Sequence, residues 1–375
     1  MLSPNALRIL DSLGLYKRLS SQGYNFESIS FKNNEQVTTD LYYLGDENLY
    51  EYKALRIYRQ ILLTELRNMV NDCKIPIVYG QKFSHVVSDS KDSVVFAFTS
   101  GWTQSADLLV GADGIHSSVR KYIAPGTVPK YSGQVAITCA IQKSKLKFPE
   151  GIDYPMPVAI HGKKGAFVMA PQDVDGEEVL AGTQRAYPEQ DRAGWDALVA
   201  DKQGLLALFR TNMEDWPMIV QSALDNVPTD TLTIWPYYVM PKLERWYSPG
   251  KRVIILGDAA HAIPPTAGQG ASQGFEDSFT LAALLARLSR KIPLDNALTY
   301  WNQMRQGRVD KVIALTLQLN NTRLPQAERK ALMKSQTWQS GDAGELAWLY
   351  NARIEDDVLA WVKSKTKSSC PFRSS

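Results

Sequence analysis

The sequence predicts an α/β fold with a parallel, helix-covered sheet in one domain, an antiparallel sheet in a second, and a helical carboxyl-terminal region. Two largely apolar runs, 107–110 and 253–256, each lead into a glycine, an aspartate and the start of a helix. Runs of this kind are typical of parallel strands covered on both faces. Residues 135–141 instead alternate apolar and polar side chains, which is the period of a half-buried strand.

The remaining elements follow from local patterns. The first part of the chain is predicted to contain helices over 2–20 and 59–73 and strands over 93–100 and 107–110. The middle is predicted to contain strands over 135–141, 158–160, 166–170, 178–183 and 231–238, with one helix over 195–211. From residue 294 the pattern is helical, and a last helix over 346–363 leads into a polar tail, 363–375, that we expect to be disordered. We therefore predict one domain from 1–124 and 251–290, a second from 125–250, and a helical region over 291–375.

Composition excludes several classes of protein. The 375 residues exceed what one hydrophobic core normally holds, so two or more domains are expected. A net charge of +3 is too small to indicate a nucleic-acid partner. Four histidines and three cysteines lack metal-ligand spacing, which predicts no metal site and reduced thiols. No apolar run reaches the length of a membrane span, so a cytoplasmic location is the default.

The most informative segment follows the second apolar run. Gly257 and Asp258 stand at its carboxyl end, where open α/β sheets place their ligands. Gly268 and Gly270 remove two side chains, which lets the main chain approach a flat ligand closely. A helix begins at Ala271, so its free N–H groups and positive pole point at the loop. These residues together indicate a bound polar and anionic ligand.

This segment resembles the glycine-aspartate motif of the flavin-dependent aromatic hydroxylases, the single-component FAD monooxygenases similar to salicylate and p-hydroxybenzoate hydroxylase. The resemblance implies that Asp258 accepts a hydrogen bond from a ribityl hydroxyl of FAD. It also implies that Gly268, Gly270 and Ala271 lie beside the isoalloxazine ring. A carboxylate suits ligand hydroxyls, and helix N–H groups favour the negative charge of a reduced flavin. The alternative is a glycine loop that only joins a strand to a core helix.

Two further segments fit the same family. Asp113 follows the first apolar run and resembles the family's Asp-Gly motif, which implies support of FAD and of the nicotinamide donor. Downstream, a serine is expected to cap the next helix and Arg120 to bind a phosphate. Arg59 begins a helix similar to the family's His-Arg-x-x-Leu segment, whose arginine reaches the FAD pyrophosphate. Tyr58 replaces the usual histidine, and Arg56 is a competing candidate.

The family's diphosphate-binding motif, Gly-x-Gly-x-x-Gly, is absent from this sequence. In the family it belongs to the first βαβ unit of the Rossmann-like FAD-binding domain, which would add about forty to fifty residues before the counterpart of Met1. We expect a start-site error, a truncated and inactive relative, or a fragment, and favour the first. Expressed as written, the chain is expected to be poorly soluble or colourless.

The resemblance implies an FAD-dependent monooxygenase that uses NAD(P)H and O2 to hydroxylate an aromatic, phenolic or polyketide-like small molecule. An oxidase, epoxidase or dehydrogenase on the same fold, or a non-catalytic remnant, stays open. The cofactor carries the chemistry, so no catalytic side chain is predicted. Four side chains on the predicted strands of the middle domain could face the substrate, although a structural role is the favoured interpretation: His161, Arg185, Tyr237 and Tyr238.

Overall fold

The computed structural model describes residues 1–151, 153–341 and 344–367. Its longest helices lie in the carboxyl-terminal half of the chain. In chain order the helices are α1 (Pro4–Ser12), α2 (Tyr16–Leu19), α3 (Glu47–Tyr50), α4 (Arg59–Asp72), α5 (Arg120–Ile123), α6 (Arg192–Ala200), α7 (Lys202–Phe209), α8 (Met218–Asp225), α9 (Asp258–His261), α10 (Gly270–Leu285), α11 (Leu294–Thr322), α12 (Gln326–Lys330), α13 (Ala347–Tyr350) and α14 (Ile354–Lys367).

The strands form one large sheet and three small ones. In chain order they are β1 (Tyr24–Phe26), β2 (Ser28–Asn33), β3 (Thr38–Tyr43), β4 (Ala54–Arg56), β5 (Phe83–Asp89), β6 (Val94–Phe98), β7 (Thr103–Ala106), β8 (Leu109–Gly111), β9 (Lys130–Gln142), β10 (Val158–Gly162), β11 (Gly165–Pro171), β12 (Glu178–Ala186), β13 (Thr233–Val239) and β14 (Val253–Ile255).

The large sheet has seven strands in the order β13-β9-β12-β11-β10-β2-β3. All neighbours run antiparallel except β10 and β2, which are parallel, with Val158 opposite Ser30. Strands β2 and β3 come from the segment that the sequence predicted to belong to the first domain. The sheet therefore crosses the predicted boundary between residues 124 and 125. No strand was predicted over 28–43, although residues 28–32 alternate polar and apolar side chains.

The parallel pair predicted from the two apolar runs is present. Strand β14 lies parallel to β8, with Val253 opposite Leu109 and Ile255 opposite Gly111. All three residues of β14 are buried. Since the strands run in the same direction, the aspartate turns that follow them emerge at the same end of the pair.

The large sheet separates two hydrophobic clusters. One face packs against α7 and α8 through residues such as Ile160 and Leu205. The other face contributes Phe31 and Ala159 to a cluster that also contains β14, α10 and α11. Burial of both faces by helices fixes the sheet next to the segment that carries the glycine-aspartate turn.

Several predicted helix limits need correction. The helix predicted over 195–211 is two helices, α6 and α7, which meet at Asp201; its carboxylate accepts a hydrogen bond from the Gly204 N–H and so begins the second one. The disordered tail predicted from residue 363 begins too early, because α14 extends to Lys367. The rest of that tail lies outside the described residues.

One apolar stretch is exposed to solvent. Residues 75–79, here called the apolar segment, form neither helix nor strand, and the side chains of Val78 and Tyr79 are both 67% exposed. Val110 on β8 is 42% exposed, although a parallel sheet normally buries such residues. In the part of the chain that is described, no helix is both long and apolar enough to cross a membrane.

Candidate functional site

The turn after β14 depends on glycine. Gly257 adopts φ 58° and ψ −143°, a backbone conformation that residues other than glycine rarely adopt. A Cβ atom on Gly257 would lie 3.8 Å from the Cα of Gly274, and the reverse contact is 3.9 Å. A Cβ atom at either position would therefore make an ordinary contact, so it is the backbone conformation of Gly257, rather than close packing, that calls for glycine in this turn.

Asp277 fixes the turn from the side of α10. Its Oδ2 atom accepts hydrogen bonds from the Gly257 N–H at 2.9 Å and from His261 Nε2 at 2.6 Å. The side chains of Asp277 and His261 are almost fully buried. One carboxylate oxygen thus ties the backbone before Asp258 to the residue that ends α9.

Asp258 faces the amino end of α10 and is free to bind. Outside its own helix backbone and chain neighbours, the nearest atom to a Cβ on Gly270 would be Asp258 Oδ1, at 4.0 Å. The Asp258 side chain is exposed and makes no hydrogen bond or ion pair with another described residue. No side chain caps α10, and Ala271 in its first turn is exposed. A carboxylate acceptor and uncapped N–H donors therefore share one accessible surface.

Gly268 is the strained position of the loop. Its φ of +65° is left-handed, and a Cβ atom there would collide with the side chain of Met1. Thr266 in the same loop bonds to Asn320 near the end of α11. The loop thus lies between the first residue of the chain and the last turn of α11.

Asp113 and Arg120 have internal roles. Asp113 Oδ2 accepts hydrogen bonds from the backbone N–H groups of Ser118 and Val119 at 2.7 and 3.2 Å, while the residue stays exposed. Arg120 is buried and donates to the carbonyl oxygens of Ala259 and Ile115. The predicted phosphate contact of Arg120 is therefore wrong, because its guanidinium joins the two aspartate turns. A role of Asp113 toward FAD stays a prediction.

The two candidate arginines near α4 differ in availability. Arg59 is exposed at the first position of α4 and has no partner among the described side chains. Arg56 donates from Nε to the carbonyl of Pro171 at 2.7 Å, and burial lowers its pKa to about 10. Arg59 is consequently the better candidate for a ligand phosphate, in agreement with the sequence-based choice.

A buried ionic network joins α10, whose amino end faces Asp258, to α11. Arg305 Nε contacts Asp277 Oδ1 at 2.7 Å, its Nη1 contacts Glu276 Oε2 at 2.5 Å, and all three side chains are 0% exposed. Arg308 adds a second cation to Glu276 at 2.5 Å. Burial would raise the pKa of Asp277, but His261 and Arg305 outweigh it and lower this pKa to about 2. The network therefore stays charged and locks α10 onto α11.

Sequence reasoning missed this network. Arg305 and Arg308 lie at helical spacing in a region whose pattern was interpreted as hydrophobic core packing. A signal was present, because Glu276 and Asp277 place two acidic residues on α10 among buried neighbours. Two cations at helical spacing on α11 and two adjacent anions on α10 indicate charge on each helix, but they do not identify the partner helix.

The four candidates on the predicted middle strands separate into two groups. Tyr238 accepts a hydrogen bond from Trp195, and Arg185 donates to the carbonyl of Leu208, so both are used within the protein. Tyr237 is buried without a hydrogen bond to another described residue. His161 is half-buried, and its Nε2 atom has no partner in the described chain.

Comparison with known families decides the assignment. The family described as "FAD binding domain" matches residues 1–316, which is most of the chain. The chain belongs to this family. The predicted family and the predicted α/β fold class are thereby confirmed, and FAD is the cofactor that the family name specifies.

Two curated relatives of this FAD binding domain chain are named a hydroxylase and a monooxygenase. It is 31% identical over 245 residues to hispidin-3-hydroxylase of Neonothopanus nambi, covering 60% of this chain and 55% of the relative. It is 28% identical over 291 residues to 6-methylsalicylate 1-monooxygenase of Aspergillus terreus, covering 74% of this chain and 61% of the relative. The aligned parts thus span less than two thirds of both relatives.

A solved structure shows the same fold. A substrate complex of salicylate hydroxylase superimposes with a TM-score of 0.76 over 100% of this chain and 90% of that chain, at 19% identity. The antiparallel sheet and the carboxyl-terminal helices that accompany the FAD-binding domain are shared features of that fold.

Proposed function

We propose that this chain is part of an FAD-dependent monooxygenase that uses NAD(P)H and O2 to hydroxylate an aromatic small molecule. The observation that carries the proposal is the free Asp258 carboxylate facing the uncapped amino end of α10 across the open position of Gly270. The oxygenase names of the relatives support the reaction class.

The residues on this surface fit FAD. Asp258 would accept a hydrogen bond from a ligand hydroxyl, and the N–H groups at Gly270 and Ala271 would favour negative charge on a flavin ring. Exposed Arg59 would contact the diphosphate. When bound, FAD supplies the electron transfer and oxygen activation that side chains cannot perform.

The chain's own contribution is to position the substrate and to exclude water. The large sheet buries Phe31 and Ala159 on the face shared with α10 and α11, and an aromatic substrate would lie between that face and the loop with Thr266. An apolar enclosure removes water, which strengthens every polar contact to the reacting groups.

Two measurements test the proposal. Protein saturated with FAD should show flavin absorbance, and NAD(P)H consumption should rise when an aromatic substrate is added, with one hydroxylated product formed per NAD(P)H. Hydrogen peroxide without hydroxylated product would indicate an oxidase instead. Failure to bind FAD at any concentration would indicate a non-catalytic remnant.

Asp258→Ala is expected to weaken FAD binding while leaving the fold intact. Loss of a hydrogen bond to a charged group should cost about 1.5–3 kcal/mol, roughly a 10–100-fold rise in Kd. FAD titration followed by flavin fluorescence measures this change. Asp107→Ala, which removes an exposed carboxylate near the opposite end of β8, is the control. Equal FAD affinity in the Asp258 variant and wild type would contradict the assigned role.

Gly270→Val is expected to lower flavin content without unfolding the protein. The space next to Gly270 is open, so the valine fits, but it occupies the gap in front of Asp258. Gly307→Val on α11 is a matched control, because a Cβ atom there also meets nothing within 4 Å. Circular dichroism and flavin absorbance of both variants make the comparison. If the two variants retain the same flavin content, the loop does not approach the cofactor.

A further inference from the structure

A cleft opens at one end of the large sheet. Strands β2 and β10 are parallel, so the turns that follow their carboxyl ends lie side by side there. These two turns, the strand ends beside them and α12 line the cleft, with Asn34, Glu35, His161, Lys163 and Arg329 among the lining residues. Its volume is about 390 Å³, which falls within the range of small-ligand sites, about 300–1,000 Å³.

The turn between β2 and β3 is fixed without a ligand. Tyr154 donates from its hydroxyl to Gln36 Oε1 at 2.6 Å, and buried Lys32 donates from Nζ to the carbonyl oxygen of Gln36 at 3.4 Å. Asn34 donates from Nδ2 to the carbonyl oxygen of Asp215 at 3.0 Å. Contacts within the protein therefore hold the first wall of the cleft in place.

The other two walls are fixed to the fold in the same way. The backbone N–H of Gln326, at the start of α12, donates to the carbonyl oxygen of Lys163 in the turn between β10 and β11, at 3.0 Å. Arg329 on the same helix donates from Nη1 to the carbonyl oxygen of Thr322 at 3.0 Å. A ligand would thus enter a preformed cleft, and its binding would not have to order a loop.

Two buried polar atoms of the lining residues have no partner. They are His161 Nε2 and Asn34 Oδ1, both unpaired among the described residues. Buried polar atoms are almost always paired, so these two require an explanation. Because the amide nitrogen of Asn34 bonds to Asp215, its Oδ1 atom is an acceptor that needs a hydroxyl or N–H group from outside the chain. A ligand that completes the cleft therefore carries at least one hydrogen-bond donor.

The charge of the cleft is positive. Lys163 and Arg329 line it together with Glu35, and none of the three forms an ion pair with another described residue. Burial, with the charges of Arg329 and Arg323, lowers the pKa of His161 to about 3, so this histidine adds no charge at neutral pH. The two cations favour an anionic group on the ligand, whereas Glu35 accepts hydrogen bonds from hydroxyls.

The arrangement of the donors favours a phosphate over a carboxylate. Lys163 lies on the turn between β10 and β11, Arg329 on α12 and His161 on β10. Donors on separate walls suit a group with three acceptor oxygens that point in different directions, whereas a carboxylate presents two oxygens in one plane. A phosphate ion alone fills only part of the cleft, so the ligand has a further body, and Asn34 and Glu35 require that this body carry hydroxyl groups.

We propose that this cleft binds the phosphate monoester of a small polyol, such as a sugar phosphate. Lys163 and Arg329 hold the phosphate, and Asn34 and Glu35 accept hydrogen bonds from the hydroxyls. None of the described residues that line the cleft belongs to the loop 264–270 or to α10. The site is therefore separate from the surface that carries Asp258, and it does not rest on the proposed function.

Calorimetry with glucose 6-phosphate and glucose tests the proposal. Wild type is expected to bind glucose 6-phosphate at least about tenfold more tightly than glucose. Arg329→Met should weaken this binding by about 10–100-fold, because it removes charge-assisted hydrogen bonds to the phosphate. Lys330→Gln, which removes an exposed cation from the same helix, is the control and should leave the affinity unchanged. Absence of binding, or equal affinity for glucose 6-phosphate and glucose, would overturn the proposal.

Inorganic phosphate tests the contacts to the polyol. Wild type should bind it more weakly than glucose 6-phosphate, because it reaches only the cations. Asn34→Leu removes the unpaired acceptor and should weaken the binding of glucose 6-phosphate while leaving that of inorganic phosphate unchanged. If inorganic phosphate and glucose 6-phosphate bind equally well to wild type, the cleft does not recognise a polyol.

The location of the ligand needs its own control, because exposed Arg59 is a second cation proposed to bind a phosphate. Saturation with FAD and the variant Arg59→Met should each leave the affinity for glucose 6-phosphate unchanged. Loss of binding under either condition would place the sugar phosphate on the flavin surface and overturn its assignment to the cleft.

Thermal unfolding separates a lost site from a damaged fold. Glucose 6-phosphate should raise the melting temperature of wild type and not that of Arg329→Met. A variant that melts lower and still binds glucose 6-phosphate as wild type does would show that Arg329 has only a structural role. Binding to a protein that consumes no NAD(P)H would leave the site standing and contradict the monooxygenase, whereas an active monooxygenase without this binding would contradict the site alone.

Discussion

Arg305→Met is expected to lower the free energy of unfolding by about 3–5 kcal/mol. Arg305 is fully buried and pairs with both Glu276 and Asp277, so its loss leaves buried negative charge on α10 with only Arg308 and His261 nearby. Methionine fills a similar volume, which confines the effect to charge and hydrogen bonding. Urea unfolding followed by tryptophan fluorescence measures the change.

A second variant establishes the cause of this loss. Adding Glu276→Gln and Asp277→Asn to Arg305→Met removes the unpaired charges and should recover part of the stability. Arg290→Met, which replaces an exposed arginine, should change the free energy of unfolding by less than about 0.5 kcal/mol. If Arg305→Met has as small an effect as Arg290→Met, the network does not hold α10 to α11.

Stability should fall steeply between pH 4 and about pH 2. The pKa of Asp277 is about 2 in the folded protein, below its ordinary value of 3.8, and the pKa of Glu276 is also lowered because Arg305 and Arg308 outweigh the effect of its burial. A carboxyl group with a depressed pKa stabilises the fold above its unfolded pKa and loses this contribution as the pH falls through the folded value. Asp277 alone accounts for about 2–3 kcal/mol of the loss, and Glu276 adds to it.

The control for this pH dependence is Asp277→Asn, which cannot titrate at this position. Its free energy of unfolding should be lower at pH 7 but should fall less between pH 4 and pH 2 than that of wild type. Urea unfolding at a series of pH values gives both curves. Parallel curves for the two proteins would mean that Asp277 has an ordinary pKa in the folded state.

The residues predicted to bind the cofactor follow from local sequence, and their role stays a prediction. Gly257, Asp258, Gly268 and Gly270 lie within one loop and helix start, and each has a conformational or chemical requirement that its residue type reveals. The structure places Asp258 Oδ1 4.0 Å from where a Cβ atom on Gly270 would lie, and the role of these residues toward FAD stays a prediction. The family and the fold class followed from the same motifs and are confirmed.

Sequence reasoning failed where partners are distant in the chain. Arg305 and Asp277 are 28 residues apart on different helices, so no periodicity within one helix reveals their pairing. Strand β2 was missed although residues 28–32 alternate, because its place beside β10 and β3 depends on segments distant in the chain. His161 was a weak candidate on its strand, and its unpaired, buried Nε2 atom is visible only in the folded chain.

The apolar segment has a consequence for the lifetime of the protein in a cell. Ile75, Val78 and Tyr79 have exposed apolar side chains, and their backbone forms neither helix nor strand. The segment shares both features with an unfolded chain. Chaperones and proteases select substrates by such stretches, whatever the stability of the remaining fold. We therefore expect proteolytic cleavage of the folded protein to begin in this segment rather than in the helices that the network around Arg305 joins.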